Sequence, residues 1–76
     1  MNKARRIRLR EVDKMLSESI RIIEHINDLE QDSIDNTPEN LQNTERYERM
    51  EDIVDQLNEA VDCIGQAKDN LQEAIR

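Results

Sequence analysis

Apolar side chains recur along this chain at intervals of three and four residues, in two blocks separated by a polar interval. In the first block Val12, Ser19 and Ile26 take position a of a heptad, Met15, Ile22 and Leu29 take d, and Leu9, Leu16 and Ile23 fall at e. This face is wider than the two positions that a two-stranded coil buries, so the first helix needs more than one neighbour. The second block keeps a stricter repeat, with Met50, Leu57, Ile64 and Leu71 at a and Ile53, Ala60, Ala67 and Ala74 at d. Tyr47, Val54, Val61 and Ile75 at e widen that face too, and Lys68 alone interrupts them. The alanine seam lets a neighbouring backbone approach more closely than leucines would, whether from the first helix or from a symmetry mate.

Between the blocks, residues 31–44 are dominated by Asp, Asn, Thr and Gln with a single proline, and the helical rhythm stops. Thr37 followed by Pro38 has the form of a cap with proline at the first helical position, and Asn43 or Thr44 offers a cap before the second block. The pattern predicts an all-α fold. It is an antiparallel two-helix hairpin forming one domain over 1–76, with a helix from 3 to 32, a loop holding a short helical turn over 33–43, and a helix from 44 to 75. Two hairpins sharing their wide faces make a four-helix bundle, and a larger homo-oligomer meets the same need. The expected shared core comprises Val12, Leu16, Ile23 and Ile26 from the first helix, and Ile53, Leu57, Ala60, Ile64, Ala67 and Leu71 from the second.

Composition narrows the routes to stability. A chain of 76 residues buries too little apolar surface to fold comfortably without disulfides, metals or partners. Cys63 is the only cysteine, and with the one histidine, His25, it falls far short of a zinc set. No disulfide, metal or other cofactor is therefore expected, which leaves oligomerisation. Phe and Trp are absent and Tyr47 is the sole aromatic, a composition unsuited to a sheet. No apolar run reaches the ~18 residues of a membrane span, and the basic N-terminal segment is not followed by the apolar stretch of a secretory leader. A cytoplasmic protein with no membrane partner is the expectation.

The net charge of −7 is spread unevenly. Lys3, Arg5, Arg6, Arg8, Arg10 and Lys14 crowd the start of the chain against only Glu11 and Asp13. In an antiparallel hairpin that basic start lies beside the end of the second helix, where Asp69, Glu73 and the carboxylate of Arg76 can answer it. Arg5, Arg6, Arg8 and Arg10 also have the chemistry for phosphate, because guanidinium groups bind its oxygens in bidentate fashion. Net negative charge opposes an extended polyanion, so nucleic acid is not an expected partner. A small phosphorylated ligand held between subunits escapes that objection. The acidic faces, for their part, suit a basic groove on another protein.

Asp28, Glu30, Asp32 and Glu39 match the acidic positions of a calcium-binding loop, yet Ser33 stands where the sharp turn demands glycine and the apolar rhythm runs through Leu29. No nucleophile, base and orienting group fall together, so catalysis is not expected. His25 and Cys63 both take position g, at the edge of the apolar face, where a half-buried side chain is the ordinary role. Ligand chemistry concentrates instead at the start of the second helix. Gln42, Glu45, Arg46, Tyr47 and Arg49 combine an amide, a carboxylate, two guanidinium groups and the only aromatic ring. Arg46 falls at a d position, an odd place for a charge unless it meets a ligand or an acid such as Asp32 or Asp35. Tyr47 offers a face on which a base or a guanidinium stacks.

The segment Glu30-Gln31-Asp32, the loop from Asp35 through Thr37-Pro38-Glu39 to Leu41-Gln42, and the helix start Thr44-Glu45-Arg46 resemble a family of small acidic helical-hairpin proteins of bacterial phages and prophages. The resemblance implies a non-catalytic, anti-defence role in the host cell cytoplasm. Such an inhibitor blocks a host defence protein through its acidic faces, or sequesters a small nucleotide immune signal through Arg46, Tyr47 and Arg49, with the basic N-terminus between subunits as a further contributor. The alternative it leaves open is a structural or assembly adaptor built as an oligomeric helical bundle.

Overall fold

The computed structural model describes residues 1–76 as two long helices joined by a short 3-10 turn: α1 over Lys3–Asp35, the turn at Glu39–Leu41, and α2 over Glu45–Ile75. They form an all-helical hairpin with extents of 60 × 15 × 13 Å. Neither helix is long and apolar enough to cross a membrane. α1 begins where the Asn2 side chain accepts from the Arg5 N–H at 2.8 Å, satisfying one of the free donors of the first turn. It continues to Asp35, past the end at 32 that the apolar rhythm predicts. There the Gln31 amide donates to the Asp35 carboxylate at 3.0 Å, and Ile34 adds one more half-buried apolar residue.

Pro38, not Thr37, precedes the 3-10 turn, and it supplies no side-chain cap. The Thr37 hydroxyl donates back to the Ser33 carbonyl at 2.8 Å and so closes α1 instead of opening the next element. Thr44 caps α2: its hydroxyl accepts from the Tyr47 N–H at 3.2 Å and donates to the Leu41 carbonyl at 2.8 Å.

Three side-chain pairs define one antiparallel register. Asn27 Nδ2 donates to Asn58 Oδ1 at 2.7 Å, Lys68 Nζ donates to Ser17 Oγ, and Gln72 Nε2 donates to Asp13 Oδ1 at 3.4 Å. Each step back along α1 is matched by an equal step forward along α2. Lys68 also lies 4.0 Å from the Asp13 carboxylate, and both side chains are largely covered. The one interruption in the apolar face of α2 is thereby explained, since its charge meets an acid on the facing helix.

The inner strip of α1 consists of half-buried Leu9, Leu16, Ile20, Ile23 and Ile34, interspersed with Asp13, Asn27 and Glu30. Those are b and e positions of the first repeat. Opposite them α2 turns in its a and e positions, among them Met50, Val54, Leu57, Val61, Ile64 and Leu71. Of the residues expected in a shared core, Leu16, Ile23, Leu57, Ile64 and Leu71 lie in this seam. Ile53, Ala60 and Ala67 are half-buried on its flank, whereas Val12 and Ile26 are exposed. His25 and Cys63, expected half-buried, are exposed as well.

Val54 is the single buried residue of the hairpin, at 9% exposure. The a and d stripe of α1 lies to the side of the seam, leaving Val12 39%, Ile26 45%, Ile22 47%, Leu29 53% and Met15 63% exposed. Val54→Ala is expected to lower the unfolding free energy by about 1–2 kcal/mol, through two lost methyl groups and the gap they leave. Urea denaturation reads this directly, and a loss below about 0.5 kcal/mol would move the centre of the seam elsewhere.

Candidate functional site

At the turn end, the cap at Thr44 sets the first turn of α2 against the last turn of α1. Ser33 and Asn36 at the end of α1, Thr37, Pro38 and Leu41 in the connection, and Thr44, Arg46, Tyr47 and Met50 at the start of α2 line a cleft of about 410 Å³. That volume lies within the range of small-molecule sites. Tyr47 is half-buried on the wall, and Arg46 is exposed beside it. The four ion pairs of the protein do not include Arg46, so of the two alternatives for it the bridge to Asp32 or Asp35 is not made. A cation of unspent hydrogen-bonding capacity therefore stands next to the only aromatic ring.

The other residues singled out at this junction take different places. Gln42 Nε2 donates to the Thr37 carbonyl at 3.4 Å and braces the connection. Glu45 lies in the first turn of α2, where a carboxylate complements the helix dipole. Arg49 is exposed and lies outside the cleft. Ser33, Asn36 and Leu41 were not marked by sequence reasoning, because their role comes from the folding back of the chain and not from any local chemistry.

A second cleft of about 600 Å³ lies at the open end, lined by Arg6, Arg10, Asp13, Gln72, Ile75 and Arg76. Arg6 Nε is buried there without a hydrogen-bond partner. Arg5 and Arg8 face another side, beside Met1, Ala4 and Leu9, and Arg8 lies 3.4 Å from Glu11. The basic segment is thus divided between two faces. Nor do the acids of α2 answer it as expected: Glu73 pairs with Arg76 at 3.2 Å, and Asp69 forms no ion pair. Charge matching across the hairpin has the opposite sense, from Asp13 of α1 to Lys68 of α2.

On the exposed middle of α1, a hydrogen bond from Arg21 holds the Glu18 carboxyl below the usual glutamate range, with the guanidinium charge adding to the effect. The same bond raises Arg21. This pair lies outside both clefts. Asp28, Glu30 and Asp32 are all within the helical span of α1, which is not the looped backbone of a calcium site. Comparison with protein-family models, curated proteins and solved structures finds no match to this chain.

Because Arg46 is exposed and unpaired, Arg46→Ala is expected to leave the unfolding free energy within about 0.5 kcal/mol of the parent. A loss above about 1 kcal/mol in denaturant titration would tie this guanidinium to the stability of the turn.

Proposed function

We propose that this chain is a non-catalytic binding protein that works as a homo-oligomeric helical bundle and takes a small anionic ligand of the nucleotide class at its turn cleft. The observation that carries the reading is the unpaired Arg46 guanidinium beside the Tyr47 ring on the wall of that cleft. Arg46 supplies a donor fork for phosphate oxygens, and Tyr47 supplies a ring face for a base. Asp32, Asp35, Glu39 and Glu45 around the same end work against an anion. Basic side chains from another copy would offset them, which ties ligand capture to assembly.

Joined to the likeness of its loop to small phage proteins, this chemistry points to counter-defence, with the protein withdrawing a nucleotide immune signal from the host cytoplasm. The acidic faces support the related mode of blocking a host defence protein. An assembly adaptor is the second reading, favoured by the exposed apolar stripe of α1.

Native mass spectrometry of the purified protein, alone and mixed with cyclic and ADP-ribose-type nucleotides, separates these readings. Adducts in fixed ratio to the subunits, lost in Arg46→Ala, are the expected result. Oligomers that take up none of the panel would refute nucleotide capture and leave the adaptor or a protein target.

A further inference from the structure

We infer that the exposed a and d face of α1 seats a second copy of this chain, packed antiparallel about a two-fold axis that passes near Ser19 and Ile22. The inference rests on the self-association in the proposed function and supplies its geometry. Every large apolar side chain left exposed belongs to α1, to the N-terminus or to the turn, and none belongs to α2. Val12, Met15, Ile22, Ile26 and Leu29 lie on one line of α1 at the spacing of a coiled-coil seam. Ser19 completes that line, and its hydroxyl donates to the Met15 carbonyl at 2.9 Å. Ser33, one turn beyond Leu29, does the same to the Leu29 carbonyl at 3.2 Å. Both hydroxyls are thus satisfied by their own helix and cost little to cover.

Charge selects the orientation. α1 is basic at its start and acidic at its end, where Glu24, Asp28, Glu30, Asp32 and Asp35 occur without a lysine or arginine. It has no acid in its first turn and no base in its last, the reverse of what its dipole favours. α2 does not correct this, because it brings Glu45, Glu48, Glu51 and Asp52 to the same acidic end. An antiparallel second α1 answers both ends at once, while a parallel one would set like charges side by side.

One register covers the whole stripe. Val12 then stands opposite Leu29 of the second copy, Met15 opposite Ile26, and Ser19 opposite Ile22, with every a position meeting a d. Continuing the same register sets Arg8 and Arg5 of the second copy opposite Ser33 and the C-cap residue Asn36, both of which line the turn cleft. The interface therefore delivers basic side chains to the acidic end that holds Arg46 and Tyr47. α1 is about 50 Å long. In this register residues 6–35 of the two α1 helices overlap, so the contact runs along almost the full length of each.

Cross-linking in a Cys63→Ser background tests the geometry, using exposed positions outside the intramolecular seam. Met15→Cys mixed with Ile26→Cys is expected to give a covalent dimer on oxidation, while each alone stays uncross-linked. Self-cross-linking of Met15→Cys alone would show a parallel pair and overturn the inference. Ile22→Glu, with helicity checked by circular dichroism, is expected to shift the mass in light scattering from dimer to monomer. An unchanged dimer would remove this interface while leaving self-association standing, and a monomeric parent protein would remove both.

Discussion

Each helix of a two-helix hairpin has one neighbour, and one neighbour covers only one strip of its surface. Both helices here carry more apolar surface than one strip. α2 solves the problem by turning its a and e positions inward, so that no large apolar side chain of α2 is left exposed. α1 does not solve it alone. Its inner strip takes the b and e positions, and the more continuous a and d line from Val12 to Leu29 faces outward. A hairpin with one buried residue has almost no closed core of its own, and the hydrophobic term scales with area removed from water. The outward stripe is the largest untapped source of such area.

The intramolecular seam is correspondingly rich in specific polar contacts. Asn27 with Asn58, Asp13 with Lys68 and Gln72, and Ser17 with Lys68 hold one register through the middle of the hairpin and towards its open end. Polar groups inside a seam contribute less stability than well-packed apolar ones, but they penalise every shifted register in which they lose their partners. Val54, one turn from Leu57 and Asn58, gives this seam its best-covered point. Stability and specificity are thus divided: the seam sets how α1 lies on α2, and the stripe is the surface through which the proposed self-association would add stability.

The helical class, the two-helix hairpin, the polar connection and a cap at Asn43 or Thr44, of which the structure uses Thr44, were legible in the sequence, because each is a local pattern of period or turn chemistry. The inward face of α1 was not. Judged by apolar content the a and d line looks like the inner one, and only the partners supplied by Asn58, Lys68 and Gln72 on the distant helix make Asp13 and Asn27 acceptable inside. The same limit applies to charge. Neutralisation of the basic start by Asp69 and Glu73 was a reasonable expectation from antiparallel topology, yet Glu73 turns to Arg76. At the turn, Arg46 and Tyr47 stood out by composition. The cleft that surrounds them depends on Ser33 and Asn36 being folded back against the start of α2, which no window of sequence displays.

In the proposed assembly, self-association and ligand binding meet on a single surface. The stripe of α1 runs directly into Ser33 and Asn36, so whatever covers the stripe also borders the cleft. Thermal unfolding followed by circular dichroism across about a hundredfold range of protein concentration reads whether the folded chain depends on association, as proposed. A folded state that exists through association gains stability by mass action, so the melting temperature should rise steadily with concentration. A melting temperature independent of concentration would show that the hairpin stands alone and rule out the proposed dependence on self-association.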